Sequence, residues 1–327
     1  MKAIVLESYG GPEVLELREV PDPQPGPEEV LVAVASTAVN RGDLLQRMGL
    51  YAGPPMMHEI PGLEIAGRVL ASGGRAGRWS VGDAVMGIVG GGAYAERIAV
   101  HERQLLPVPP SIEIEDAGAV PEVFLTAWDA LVLQGGLTAG RVALVHAGAS
   151  GVGTAAIQIA RAIGARVITT SSAGKLDACR SLGADVAVDY GSEDFVGAVA
   201  DFTGGAGVDV VLDVVGGDYL ARNLQALRTC GRIVQVGVMA GVSAAFPLGA
   251  MLGKRATLIG TVLRGRPLEE KIAVTQRFER EALPFLIDGI CRPVIDSRYP
   301  LADAADAHRY METNANIGKI VLSTTDS

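Results

Sequence analysis

From residue 141 onward, apolar and polar positions come in alternating blocks. Short runs that are apolar on both faces, VALVH (142–146), RVITT (166–170), VAVDY (186–190), VDVVLDV (208–214), RIVQVGV (232–238) and ATLIGTV (256–262), read as strands. Between the first five lie stretches with apolar residues three to four positions apart, TAAIQIARAIGA, KLDACRSLGA, DFVGAVADF and DYLARNLQAL, which read as helices. Strands that are apolar throughout need cover on both faces, and the intervening helices supply it. The pattern therefore predicts an α/β fold with a doubly wound parallel sheet.

The first 110 residues follow another pattern. KAIVLE, VLVAVAST, EIAGRVLA and YAERIAV are short strand-like runs separated by turn-forming segments such as PDPQPGPEE, so this part is β-rich. A helical pattern begins after PVPP, with Asp116 or Pro121 as its start signal and Gly135-Gly136 as its stop, which places a domain boundary near residue 120. The last 60 residues predict an amphipathic helix over 267–287, a short helix in ADAADAHRYME and a final strand in KIVLST. The expected organisation is a β-rich domain over 1–120 that 265–327 rejoins, and a nucleotide-binding domain over 121–264.

Length and composition agree with two domains. The chain has 327 residues, and single cores stop growing near about 250–300. Hydrophobic residues make up 49% and charged residues 20%, the balance of a globular protein, and the net charge of -9 argues against nucleic acid or an anionic membrane as partner. Cys179, Cys230 and Cys291 are far apart, with no CxxC spacing, which points to a reducing compartment. No signal-peptide core and no apolar run of about 18 residues is present, so a cytoplasmic protein acting on a small molecule is expected.

The segment VALVHAGASGVGTAAIQIA carries a glycine fingerprint directly after a strand and at the opening of a helix. Gly151, Gly153 and Ala156 fit G-x-G-x-x-G/A. Gly151 is expected to permit the tight turn, Gly153 to let backbone amides approach a pyrophosphate, and Ala156 to keep the helix close to its strand. Ser150, Gly151, Val152 and Gly153 then form a helix N-terminus with unpaired N–H donors and partial positive charge. At the end of the second strand, where an acid would bind a ribose 2′-hydroxyl and select NAD, the chain has Ser171, Ser172 and Lys175. An acid about 4 Å from one phosphate charge would cost roughly 4 kcal/mol at an effective dielectric of 20, whereas hydroxyls and an ammonium attract it. The expected cofactor is NADPH. Ser172 also reads as the cap of the next helix, and the two roles are compatible.

A β-rich first domain, a central nucleotide-binding domain and a returning C-terminal segment resemble the medium-chain dehydrogenase/reductase superfamily over the whole chain. VNRGDLLQRMGLY (39–51), PGLEIAG (61–67), HAGASGVGTAAIQIA (146–160) and NIGKIVL (316–322) look like its zinc-free quinone oxidoreductases. The closest similarity is to the p53-inducible quinone oxidoreductase type. The resemblance implies a GroES-like first domain and a Rossmann second domain. Where the zinc alcohol dehydrogenases of the superfamily carry their first metal cysteine, this chain has Asn40-Arg41-Gly42, and their four-cysteine lobe is missing between 75 and 120. Zinc needs three or four Cys, His or carboxylate ligands; only Glu64 and His58 lie nearby, read here as a structural remnant and a loop residue.

Without a metal to bind an alkoxide, the favoured acceptor is one already activated, a quinone or an enone, whose reduction leaves charge that hydrogen-bond donors stabilise. The resemblance implies that Asn40 and Tyr51 line the cleft beside the nicotinamide and that Thr126 lies near its ring. Tyr51 then donates a hydrogen bond or proton to a quinone oxygen, or serves only as an aromatic wall. Carried over in the same way, Lys175 and Tyr190 grip the adenosine phosphate with Ser171 or Ser172 assisting, Tyr190 alternatively being a packed strand end. Gly216, Val238 and Met239 fall on loops after the fourth and fifth strands, and Leu263 and Asn314 flank the nicotinamide half. The edge strand in RATLIGTV commonly pairs across a twofold axis in this family, so a homodimer is implied. Quinone reduction leads. Reduction of an enone, alkenal or enoyl thioester on the same scaffold is the second enzymatic reading, and an NADPH-binding protein without turnover is the third.

Overall fold

The computed structural model describes residues 1–51, 53 and 55–324. Two compact units emerge, Val123–Leu263 and Met1–Glu122 with Arg264–Ser327.

Unit Val123–Leu263 is built on six parallel strands, β1 (Val142–Val145), β2 (Arg166–Ser171), β3 (Val186–Asp189), β4 (Val208–Asp213), β5 (Leu227–Gln235) and β6 (Thr257–Gly260). Their order in the sheet is β3-β2-β1-β4-β5-β6, all neighbours parallel. Strand order reverses between β1 and β4, the point at which ligands enter such sheets beyond the carboxyl ends of the strands. Helices α1 (Gly151–Ala162), α2 (Leu176–Ser181), α3 (Phe195–Thr203) and α4 (Tyr219–Ala226) fall in the connections where the apolar spacing puts them. Val142, Leu144, Ile168, Val211, Phe195 and Leu224 fill one core beneath them.

Three local features depart from the pattern. β5 starts at Leu227 instead of Arg232, because Leu227 already stands opposite Val208 of β4; the polar run RTCG falls in the register irregularity between that pair and Val210–Arg232, with Cys230 at φ 62°. The connection before β6, left without a helix by the pattern, holds Leu248–Lys254. The segment read as one helix up to Gly135-Gly136 is an α-helix over Pro121–Trp128 followed by a π-helical stretch over Asp129–Gln134.

The other unit has a mixed sheet of the strands Ile295–Pro300, Lys319–Ser323, Glu29–Val39, Glu64–Ser72, Ala84–Ile88 and Leu105–Pro107 in that order, with Arg97–His101 also paired to Glu29–Val39. Glu29–Val39 is the long central member. Its antiparallel register sets Ile320 opposite Val39 and Ala66 opposite Ser36. Continuing those registers by one or two residues brings Lys319 to Asn40 and Glu64 to the same strand end, although the three are far apart in the sequence. The helix pair Leu268–Glu281 and Leu283–Ile287 replaces the single helix expected over 267–287, Pro284 lying in the first turn of the second. Among the described residues, no helix is long and apolar enough to cross a membrane.

Candidate functional site

In the nucleotide-binding unit, Ser150 caps α1, its hydroxyl accepting the Gly153 N–H at 3.0 Å. Gly153 has a steric reason of its own: a Cβ there would lie 2.2 Å from the Ala147 carbonyl oxygen and 2.6 Å from the Gly148 Cα. A glycine at this position lets the helix start close to its own preceding loop. Gly148 has a matching role, since its Cβ would meet the Thr169 hydroxyl at 2.0 Å, and the fingerprint did not include it. Gly151 and Val152 form the first turn of α1, half-buried, and Ala156 is fully buried against the sheet.

The end of β2 separates the three candidates for the phosphate. Ser171 is 4% exposed, and its hydroxyl is hydrogen-bonded to the Cys179 thiol, whose pKa is pushed up mainly by burial. Ser172 and Lys175 are half-buried on the loop that follows. Tyr190 is 54% exposed, and its N–H donates to the Ser171 carbonyl at 3.2 Å, so the two strand ends are joined. A residue with no signal in the sequence, Asp189, sits beside them. Its carboxylate accepts from the Ser192 hydroxyl at 2.7 Å and the Gly191 N–H at 3.0 Å. These bonds, with another from the Ala173 N–H, hold its pKa below the ordinary carboxylate range. Asp189 thus braces the loop that carries Lys175.

The remaining candidates of this unit lie on loops beyond the strands, apart from Thr126 on the helix Pro121–Trp128. Gly216 follows β4 at φ 69°, within 3.0 Å of the Gly241 carbonyl for any added Cβ, so the left-handed turn and the close approach both demand glycine. Val238 and Met239 are exposed after β5, and Val238 lines an open cavity with Gln235, Val236, Gly237, Gly260 and Thr261. Thr126 and Leu263 are buried.

In the β-rich unit, the pairing of the central strand with its neighbours assembles a charged cluster around Asn40. The Asn40 amide donates to Glu64 Oε1 at 2.9 Å and to the Ala38 carbonyl at 3.1 Å, and its Oδ1 accepts from Lys319 Nζ at 2.6 Å. Lys319 also lies 2.8 Å from Glu64 Oε1, while Glu64 Oε2 accepts the Glu122 N–H at 2.8 Å. Both Asn40 amide hydrogens are therefore used within the protein, and a ligand meets Asn40 only as an acceptor. Asp43 completes the cluster, accepting the Asn40 N–H at 2.8 Å and the Gly62 N–H at 3.1 Å. Full burial, only partly offset by these N–H groups and Lys319, pushes the Asp43 pKa to about 7.

Tyr51 is half-buried, and its support comes from Arg264. That guanidinium stacks 4.6 Å from the ring centroid, donates to the Tyr51 carbonyl at 2.8 Å, and is itself fixed by Gln46 Oε1 at 2.7 Å and the Gly90 carbonyl at 2.8 Å. Burial raises the Tyr51 pKa, with Glu122 adding to the shift and Arg264 opposing it, so the phenol stays a donor at neutral pH. Asn314, in this unit, adopts φ 56° after the helix Ala304–Glu312, and its side-chain oxygen accepts from Arg41. Asparagine tolerates that left-handed position, which gives its identity a local reason. His58 is exposed on a bend. Among the described residues no three His, Cys, Asp or Glu side chains are placed to hold a metal ion, and Glu64 is already paired with the Lys319 ammonium.

A six-stranded parallel sheet with a glycine loop at its switch point, in one chain with a mixed β unit that the C-terminal strand completes, is the two-domain architecture of the medium-chain dehydrogenases and reductases. Residues 26–110 match the model of the alcohol dehydrogenase GroES-like domain and 151–280 that of the zinc-binding dehydrogenases. The quinone oxidoreductase of Pseudomonas aeruginosa is 35% identical, the match covering 98% of this chain and 99% of that protein. A segment amounting to 14% of a phenolphthiocerol/phthiocerol polyketide synthase protein of Mycobacterium tuberculosis is 31% identical over 97% of this chain. Among solved structures, Escherichia coli quinone oxidoreductase complexed with NADPH superposes with a TM-score of 0.89 at 30% identity, covering 99% of this chain and 100% of that one. An NAD-dependent alcohol dehydrogenase superposes with a TM-score of 0.88 at 32% identity, with the same coverage. The chain belongs to the quinone oxidoreductase family of the medium-chain dehydrogenase/reductase superfamily. It is an oxidoreductase of a family that works with a pyridine nucleotide.

Proposed function

We propose that the protein is an NADPH:quinone reductase that works without zinc. NADPH and one proton reduce the quinone to a hydroquinone, leaving NADP⁺; the bound nucleotide supplies the hydride. The chain's own groups do the rest. Lys175 and Ser172 recognise the 2′-phosphate with Tyr190 beside them, and Ser150, Gly151, Val152, Gly153, Gly216, Val238, Met239, Leu263, Thr126 and Asn314 belong to the remaining nucleotide contacts, while buried Ser171 acts through the loop. Tyr51 donates to the quinone oxygen as charge develops there, and Asn40 orients a ligand as an acceptor.

The observation that carries this reading is the Tyr51 phenol, kept protonated by burial and braced by Arg264, in a unit whose one candidate metal carboxylate, Glu64, is neutralised by Lys319. Such a site offers a proton donor to an already activated acceptor and no ligand set for a metal-bound alkoxide. Relatives support it, with one named as a quinone oxidoreductase and another solved with NADPH. Reduction of enones or enoyl thioesters is the second reading, favoured by the match to a polyketide synthase segment, since polyketide chains grow as thioesters. Binding of NADPH without turnover is the reading outside catalysis. A homodimer through β6 is part of the proposal, supported by the position of β6 at the sheet edge and by exposed Leu258 on it and exposed Val262 just beyond its end.

NADPH oxidation measured against 1,4- and 1,2-quinones, 2-alkenals and a crotonyl thioester separates these readings. Turnover confined to quinones is the expected result; turnover of alkenals or the thioester alone transfers the protein to the second reading, and binding without oxidation by any acceptor to the third. Tyr51→Phe should lower kcat with quinones by about a hundredfold, the lower end for a positioned proton donor, with the KM for NADPH unchanged. An unaltered kcat would reduce Tyr51 to a wall.

A further inference from the structure

One buried chain of hydrogen bonds in the nucleotide-binding unit takes no part in the proposed quinone reduction. His146 follows β1 directly, and its imidazole is fully buried, with Phe195 and Tyr219 each 4.9 Å away edge-on between ring centroids. Nδ1 lies 2.9 Å from the Thr170 hydroxyl near the end of β2, and Nε2 lies 2.6 Å from Asn223 Oδ1 on α4. The Asn223 amide nitrogen donates to Asp213 Oδ2 at 2.8 Å. On the far side of that carboxylate, Oδ1 accepts the Val215 N–H at 2.6 Å and the Gly216 N–H at 2.9 Å. His146, Asn223 and Asp213 are each 0% exposed and Thr170 1%.

The direction of every bond follows from the last one. A carboxylate accepts only, so the Asn223 nitrogen must face Asp213 and its oxygen must face His146. His146 therefore carries its proton on Nε2 and donates it to Asn223. Nδ1 is left to accept from the Thr170 hydroxyl, provided the ring is neutral. Burial keeps it so, outweighing the pull of Asp213 on the His146 pKa. The donors then run one way, from Thr170 through His146 and Asn223 to Asp213, and all four residues are satisfied. Desolvation makes each of these bonds costly to leave unmade.

Three separate loops meet along this hydrogen-bonded path. His146 opens the glycine loop, whose Gly148 N–H donates to the Thr170 carbonyl at 2.9 Å; Thr170 precedes the Ser171–Lys175 segment; and Asp213 fixes the backbone of the Gly216 turn. We propose that His146, in its neutral Nε2–H form, is a positioning residue that sets the Gly216 turn in register with the phosphate-binding loops, so that affinity for the whole dinucleotide depends on a residue that touches none of it. The proposal rests on the reading of this unit as an NADPH site.

Nucleotide binding followed by fluorescence or calorimetry tests it, with NADPH and adenosine 2′-phosphate compared. His146→Phe keeps the ring packing and removes both bonds of the imidazole; Asn223→Leu removes the bonds to His146 Nε2 and to Asp213 and leaves the Thr170–His146 bond in place. Asn223→Leu should raise the Kd for NADPH about tenfold and leave that for adenosine 2′-phosphate within twofold. His146→Phe should weaken NADPH by at least as much, and His146→Gln, which retains a donor toward Asn223, should recover most of the loss. Equal weakening of both ligands, or NADPH binding as tight as in the parent chain, overturns the proposal. Failure of the parent chain to bind NADPH at all overturns the nucleotide reading, and the positioning role falls with it. Should the variants not fold, nitrogen NMR of the parent chain decides: a proton on His146 Nε2 and none on Nδ1 at neutral pH is required, and a proton on Nδ1 contradicts the proposal.

Discussion

The polar groups buried around His146 and those buried around Asn40 solve the same problem by different means. The His146 chain contains one charge, Asp213, satisfied by two backbone N–H groups and an asparagine amide. The Asn40 cluster holds Asp43 and Glu64 against a single ammonium, Lys319. Backbone donors and amides do not titrate, and burial lowers the pKa of His146, the titratable ring of the chain, so the first arrangement keeps its geometry around neutral pH. The second has one carboxylate more than it has cations. Sensitivity to charge and to pH should therefore concentrate in the β-rich unit, while the nucleotide-binding unit responds to loss of individual donors.

The largest effect is expected from removing the ammonium. Lys319→Met leaves two carboxylates buried without a counter-charge, and breaking a buried pair in this way costs about 3–5 kcal/mol. Urea denaturation of the variant should show the midpoint falling accordingly. A loss under about 1 kcal/mol, the range of an exposed pair, would mean that the cluster is wetter than its burial implies.

A smaller effect, within the β-rich unit, depends on pH. Asp43 has a folded pKa of about 7, above its ordinary value of 3.8. The folded state therefore binds more protons between those values, and its contribution to stability is full below 3.8 and is lost as pH rises through about 7. His308, linked to Asp43 through the Tyr94 hydroxyl at 3.1 Å and 3.3 Å, does the reverse. Its folded pKa falls to about 3 from 6.5 because of burial and nearby Arg47, so its contribution is present above 6.5 and is lost on acidification. The two slopes oppose each other between about pH 4 and 6.5. Asp43→Asn removes one of them, and its stability should fall more steeply than that of the parent chain as pH drops through this window. Parallel pH profiles would show that Asp43 is not the titrating group.

How much of this was legible in the sequence follows from the range over which each feature is encoded. Strands and helices of the nucleotide-binding unit are local, the strands encoded by apolar runs and the helices by apolar residues three to four positions apart, and their positions match to within a few residues except that β5 begins earlier, at Leu227, and that Leu248–Lys254 gave no helical signal. The glycine loop was legible as the turn between β1 and α1, but Gly148 and the close backbone contact of Gly153 were not, because both depend on Thr169 and Ala147 folding back. Asn40 could be singled out by its motif. Its partners could not, since Lys319 reaches it only through the pairing of Val39 with Ile320. Glu64 accordingly read as a remnant when it is the centre of a buried network, and Arg264 gave no signal of its place beneath Tyr51.

Selection of the nucleotide by its 2′-phosphate, through Lys175, is the claim on which the functional reading turns. The direct measurement is the affinity for NADPH and NADH in the parent chain and in Lys175→Ala. Tighter binding of NADPH is expected in the parent chain, with a rise of about tenfold in the Kd for NADPH in the variant, equivalent to about 1.4 kcal/mol, and the Kd for NADH unchanged. Equal affinities in the parent chain, or equal losses for both nucleotides in Lys175→Ala, would contradict it.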